Sequence, residues 1–324
     1  MGMMKFSPSG VERTGLKPLA VSSFKGYICV VAAALMWASS GTAGKALFES
    51  GMTPFDLVQL RVTLSTLFMA GFFAVFSPGV LRIRTPDVPY FLSLGVAMAL
   101  VQVTYFYAIS KIHVAAAILL QYMAPILIAL FSIFFWKERV RPFKLGALVL
   151  AFVGCYLVVG GYNLQFLQMN RQGIIGGLLS AVCFAGYSLL GERGMHRYAP
   201  WTVLFYAIAF AAVAWHVFYA PFHYIFAGYG WTQWGWMIYI AVIGTILPFG
   251  LYFVGVNYIR STRASITATL EPISAGFMAF IILGETLQVL QITGGALVIG
   301  AIVVLQLQQE QDEMAPASIR SKGA

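Results

Sequence analysis

The stretch SITATLEPISAGFMAFIILGE, residues 265–285, sets an ionisable Glu271 and then Pro272 in the middle of an apolar span. A span beginning near Thr262 puts Glu271 nine residues in, roughly 14 Å at about 1.5 Å per residue, close to the midplane of a hydrocarbon layer about 30 Å thick. A carboxyl group at that depth is costly and usually functional. An earlier stretch, AILLQYMAPILIALFSIFFWKE at 117–138, has the same outline, and both Pro272 minus Pro125 and Glu285 minus Glu138 give 147. The chain therefore reads as a duplication.

Of 324 residues, 60% are hydrophobic and 10% charged, against roughly 45–50% apolar and 25% charged in soluble domains. That balance defines an integral membrane protein with one membrane domain. The formal charge of +9 comes in short clusters between apolar spans, as topology determinants do, so lipid is the expected surroundings and nucleic acid is not an expected partner. Cys29, Cys155 and Cys183 lie inside apolar spans and read as buried thiols. His113, His196, His216 and His223 have no i,i+4 pair and no cysteine or acid at ligand spacing. No metal or other cofactor is expected.

Apolar runs bounded by Pro, Gly and charges give an all-α integral membrane protein of ten transmembrane helices, near 26–47, 55–76, 88–109, 113–136, 142–161, 173–191, 200–220, 233–255, 262–283 and 289–308. The first span is too long for a signal-peptide core and reads as a retained anchor. The tail from Gln308 onward is hydrophilic, carries Pro316 and reads as disordered. The division is a cytoplasmic tail at 1–25, five-helix repeats at 26–161 and 162–308, and a second cytoplasmic tail at 309–324. Sixteen Lys and Arg fall on the side of both termini and three, Lys45, Lys111 and Arg171, on the other, which places both termini in the cytoplasm. The offset of 147 also carries Gly26 to Gly173 and Trp37 to Phe184. Five helices per repeat is an odd number, so the second copy enters the membrane from the opposite side. Such inverted repeats make inward-open and outward-open states near mirror images around a midplane site.

The two copies, with Ala124-Pro125 or Glu271-Pro272, then Lys137-Glu138-Arg139 or Gly284-Glu285-Thr286, then glycine-bearing last helices (Gly146, Gly154; Gly294, Gly295), resemble the EamA-type carriers of the drug/metabolite transporter superfamily. Trp37 and Arg61 after Pro54 also resemble that family's first repeat. The resemblance covers about residues 25–308. It implies a ten-helix inner-membrane carrier with a central cavity lined by helices 1, 3, 4, 6, 8 and 9, moving small metabolites, often amino acids and frequently outward. Intramembrane lysines of the kind used by the superfamily's sugar-phosphate carriers are missing from the sequence, so phosphorylated substrates are not expected.

Glu271 shares a helix face with Thr267 and Ser274, with Arg263 two turns back. It reads as a group that takes a proton or a substrate amine, or as a structural group bonded locally or to Arg61. Arg61 reads either as a partner of Asp56, Glu49 or a neighbouring carboxylate, or as a fork for a substrate carboxylate. Glu271 and Arg61 are the only ionisable groups that the sequence places clearly within the membrane. Trp37, Ser40, Gln102, Tyr105, Gln121, Tyr122, Tyr187, Thr245, Phe249 and Tyr252 sit at mid-span and mix aromatic faces with hydroxyls and amides, as small-molecule pockets do. Helix packing explains each of them singly; together they suit a neutral or zwitterionic, partly apolar substrate. Glu138 and Glu285 read as boundary caps or gate contacts. Trp201, Trp231, Trp234 and Trp236 read as interfacial anchors.

The expected function is a secondary transporter that moves small metabolites, amino acids or related neutral or zwitterionic compounds, across the inner membrane by alternating access as an exporter, with proton coupling and oligomeric state left open. A structural or regulatory membrane subunit would leave the inverted duplication unexplained. An enzyme would need more reactive groups than one carboxylate and one guanidinium facing a cavity.

Overall fold

The computed structural model describes residues 19–112, 114–136, 142–159, 161–162, 170–219, 228–283, 288–307 and 315–323. Among them the only regular structure is helical. Glu138 and Glu285, with Lys137, Arg139, Arg141, Gly284, Thr286, His113 and His223, lie outside the described residues.

The first repeat comprises α1 (Leu19–Glu49), α2 (Pro54–Phe76), α3 (Val88–Lys111), α4 (Val114–Gln121), α5 (Ala124–Phe134) and α6 (Pro142–Val158). The second comprises α7 (Arg171–Met195), α8 (Pro200–Phe218), α9 (Trp231–Ala241), α10 (Leu247–Ala268), α11 (Leu270–Leu283) and α12 (Val289–Leu307), and a short α13 (Pro316–Gly323) follows. Helix starts obey local chemistry. Thr53 caps α2 by accepting from Asp56 N at 3.1 Å with Pro54 behind it, and Asn170 caps α7 by accepting from Gln172 N at 2.8 Å. Among the described residues seven segments are long and apolar enough to cross a membrane, the longest being Trp231–Ala268, and Pro142–Val158 and Val289–Leu305 are shorter apolar helices.

Close approach through glycine joins the repeats. A Cβ on Gly26 would meet Ile259 at 2.9 Å, and one on Gly173 would meet Ile112 at 2.5 Å. Since 26 plus 147 is 173 and 112 plus 147 is 259, the two contacts are one contact with the repeats exchanged. Small residues let helices meet this closely, and the hydrocarbon gives no other strong drive for association. At the edge of the bundle Gly154 of α6 and Gly294 of α12 meet backbone to backbone, a Cβ on either lying 2.6 Å from the other's carbonyl oxygen.

Three expectations are corrected and a fourth is extended. The spans expected at 113–136 and 262–283 are not single helices: α4 stops at Gln121 before α5 starts at Ala124, and α10 stops at Ala268 before α11 starts at Leu270. The breaks correspond at the offset of 147, and Pro125 and Pro272 cause them by removing an N–H and crowding the preceding turn. The gap expected at 256–261 is helical on both sides, and the turn falls on one residue, Arg260, at φ 64° and ψ 165°. Part of the tail expected to be disordered is α13, tied down by Arg320. Finally, Trp201, expected as an interfacial anchor, lays its ring against Gly250, where a Cβ would come within 2.3 Å, so it also packs α8 on α10.

Candidate functional site

Proline chemistry builds the site twice over. Pro272 has no N–H for the carbonyl of Ala268, four residues back, and that oxygen is met by the Tyr122 hydroxyl at 2.6 Å. The same hydroxyl lies 2.7 Å from Glu271 Oε2. Tyr122 sits in the break between α4 and α5, Glu271 in the first turn of α11, so the two broken helices meet through this group. Pro248 likewise leaves the carbonyl of Gly244 free, and there the chain forms a π-helical turn over Val242–Ile246. Arg61 Nη2 donates to Gly244 O at 2.9 Å, and Arg61 Nε donates to Thr245 Oγ1 at 2.9 Å, while Thr245 passes its own proton to Ile240 O at 2.8 Å. The Arg61 guanidinium also stands over the Phe106 ring, 4.9 Å from its centroid.

Between these two constructions lies a cavity of about 50 Å³ lined by Trp37, Ser40, Arg61, Val101, Gln102, Tyr105, Phe106, Gln121, Tyr122, Phe184, Phe249 and Glu271. Nine residues singled out from sequence are therefore brought together: Trp37, Ser40, Arg61, Gln102, Tyr105, Gln121, Tyr122, Phe249 and Glu271. Arg61 has no carboxylate among its partners in the described residues; the expected pairing with Asp56 is not made, because a proline-freed carbonyl and a threonine satisfy it instead, and the Glu49 side chain lies outside the described residues. Asp56 accepts from Thr53 Oγ1 at 2.8 Å, Tyr219 at 3.2 Å and Tyr229 at 3.3 Å.

Five expected residues do not line the cavity. Thr267 and Ser274 direct their hydroxyls to the carbonyls four residues back, Arg263 O at 2.8 Å and Leu270 O at 2.9 Å. Thr245 stands behind Arg61 as its acceptor. Tyr252 pairs with Ser188 across 2.9 Å, and the Tyr187 ring stacks on Phe253 at 4.9 Å. The last two belong to the solid half of the bundle, toward the end of α7, where Tyr187, Tyr252 and Phe253 are all fully buried.

That half also holds a polar cluster missed in the sequence. Glu192, 1% exposed, accepts from Arg260 Nε at 2.9 Å, from Ser261 N at 2.7 Å and from Ser261 Oγ at 2.5 Å. The Arg260 guanidinium lies 5.5 Å from the centroid of Trp136. Arg260 and Arg263, counted from sequence among the cytoplasmic-side cations, are both buried within α10. Arg320 of α13 closes this end, donating to Met195 O, to Tyr198 O at 3.2 Å and to Asn257 Oδ1 at 2.7 Å. The arrangement of His196, beside Arg260, Arg320 and Arg193, depresses its imidazole pKa through burial first and those cations second. No signal of periodicity marks Glu192, since it falls in the last turns of an otherwise ordinary apolar helix.

A multi-pass helical membrane protein with two broken helices meeting at a polar cavity is a membrane transport protein in its architecture. The EamA-like transporter family matches residues 24–160 and again 171–307, and the chain belongs to that family. It is 33% identical over 246 residues, 76% of this chain and 86% of the other, to an uncharacterized transporter of Archaeoglobus fulgidus. It is 28% identical to the uncharacterized inner membrane transporter YicL of Salmonella typhimurium, covering 90% of this chain and 98% of that one. Similarity extends to the threonine/homoserine exporter RhtA of Escherichia coli K12, at 25% identity over 81% of this chain and 83% of RhtA. One solved crystal structure superposes with a TM-score of 0.67 at 19% identity over 90% of this chain and 100% of the other, a likeness of fold.

Proposed function

We propose that this transporter is a secondary carrier that exports zwitterionic amino acids or related neutral metabolites across the inner membrane by alternating access. In this reading ten helices form two inverted five-helix repeats, 26–161 and 162–308, and both tails, 1–25 and 309–324, face the cytoplasm. One observation carries it: Arg61 and Glu271 line the same cavity. A zwitterion brings a carboxylate for a guanidinium fork and an ammonium for a carboxyl group, so each costly buried charge finds its complement in one small ligand. The exporter named among the relatives supports the direction.

The Tyr122 hydroxyl supports proton coupling. It has one proton and two oxygens, Ala268 O and Glu271 Oε2, within 2.7 Å. A charged Glu271 has to share the single Tyr122 proton with Ala268 O, whereas a protonated Glu271 donates to Tyr122 and leaves the Tyr122 proton to Ala268 O. Exchange of that proton for a substrate ammonium is then the coupling step.

The test is counterflow of radiolabelled neutral amino acids in proteoliposomes. Arg61→Ala and Glu271→Ala are expected to abolish it, and Glu271→Gln to leave any residual flux independent of pH between 5 and 8. Wild-type protein that moves no zwitterion while remaining folded would sink the reading.

A further inference from the structure

The charged groups of the cavity have partners inside the protein, but two fully buried polar atoms of its lining residues have none among the described residues. Gln102 is 2% exposed; its Oε1 has no hydrogen-bond partner among the described residues, and its Nε2 has only the Met98 thioether at 3.8 Å. Trp37 Nε1 is also buried without a partner among the described residues. Its ring is fixed by Phe249, Tyr252 and Phe184, with centroids at 5.0, 5.5 and 6.3 Å, so the direction of its N–H is fixed as well. Buried polar groups left unpaired in a native fold call for an explanation, and a functional ligand is one.

The repeat supplies a control within the same molecule. Residues 147 positions after Trp37 and Gln102 are Phe184 and Phe249, and these line the same cavity. At the equivalent places the second copy uses purely apolar rings of similar bulk, so filling space does not require the indole nitrogen or the amide. The first copy holds one spare acceptor, Gln102 Oε1, and one spare donor, Trp37 Nε1–H.

We propose that Gln102 and Trp37 form a side-chain subsite that reads a substrate hydroxyl, which donates to Gln102 Oε1 and accepts from Trp37 Nε1–H. The proposal rests on the carrier reading and narrows its substrate class to neutral amino acids bearing a side-chain hydroxyl. A hydroxyl does both jobs with a single heavy atom, which suits a cavity of about 50 Å³ better than a carboxamide does. Discrimination follows from the same physics: an isosteric aliphatic side chain leaves both protein atoms unpaired, and sites built to bond a hydroxyl reject such analogues strongly.

The experiment is competition between threonine and valine, near-isosteres, for counterflow in proteoliposomes of wild type, Gln102→Met and Trp37→Phe. Wild type is expected to favour threonine by about tenfold or more. Gln102→Met keeps length and removes the acceptor; Trp37→Phe keeps ring packing and removes the donor. Each is expected to shrink the threonine-to-valine ratio toward one while valine flux persists, and if Gln102→Met does not fold, Trp37→Phe alone decides. A wild-type ratio near one, or a ratio unchanged in a variant that still transports, overturns the subsite and leaves the carrier standing. Preference for asparagine over threonine assigns a carboxamide and overturns the hydroxyl. Movement of neither threonine nor valine, with alanine and glycine also inert, defeats the carrier reading itself.

Discussion

At the scale of single residues, the site is governed by what prolines leave behind. Pro248 and Pro272 each free a carbonyl, and Arg61 and Tyr122 each take one up. Tyr122→Phe removes the partner of both Ala268 O and Glu271 at once, and the expected loss is about 1–3 kcal/mol of stability, read as a lower unfolding midpoint in detergent. An unchanged midpoint would show that water replaces the hydroxyl without loss. Arg61→Lys keeps the charge but cannot donate to Gly244 O and Thr245 Oγ1 from a rigid fork, so it is expected to lower substrate affinity toward that of Arg61→Ala, as titration of thermal stabilisation by ligand would record. Much of this site was legible in the sequence, because a Glu, an Arg, two Gln and several Tyr stand out against apolar runs. The partner of Arg61 was not, since a carbonyl freed by a proline on another helix leaves no trace in residue type. Thr267 and Ser274 were misplaced for a related reason: sharing a face with Glu271 does not stop a hydroxyl from turning back to its own helix.

Among the elements, the two helix breaks and the Arg260 turn interrupt the helical ladder of α4–α5, α10–α11 and α10. Arg260 holds a backbone conformation that side chains other than glycine's rarely adopt, at a cost of order 1–3 kcal/mol, and Glu192 holds it there through three hydrogen bonds shared with Ser261. Removing the carboxylate takes away the acceptor shared by Arg260 Nε, Ser261 N and Ser261 Oγ, so Glu192→Ala is expected to open this end of the bundle. Thr262→Cys, 3% exposed at its native side chain, reports the event on a background lacking Cys29, Cys155 and Cys183. Its labelling by a polar maleimide is expected to rise severalfold in Glu192→Ala; equal labelling would deny the pair a closing role. The breaks at 122 and 269 were foreshadowed by Pro125 and Pro272, and an interruption around Arg260 was expected as a gap at 256–261; what the sequence does not announce is that one residue makes the whole turn, because the contact of Arg260 and Ser261 with Glu192 of α7 enforces it.

For the molecule as a whole, exchange of the repeats is written in Gly26 against Ile259 and Gly173 against Ile112. Gly26→Val and Gly173→Val should each cost about 1–3 kcal/mol by overpacking, and by comparable amounts, measured by unfolding midpoints. Widely different costs would show that the two halves are packed by different rules. The duplication itself was legible from one constant offset. The C-terminal helix was not, because its anchorage depends on Arg320 reaching carbonyls at Met195 and Tyr198 that the end of α7 and the turn after it present only once folded.

The repeats are nonetheless unequal at their two doors. Positions 147 before Glu192, Arg260 and Ser261 are Lys45, His113 and Val114, which bring no carboxylate with which to form the same lock. On the alternating-access reading proposed above, mirror-related conformations are therefore not of equal energy, and an idle carrier is expected to wait with its α7-end door shut. On the proposed orientation that door faces the cytoplasm. A blocker applied from outside meets vacant sites at once, while one applied from within must wait for the lock to release, so onset of inhibition, not its final extent, would reveal which way the resting protein faces.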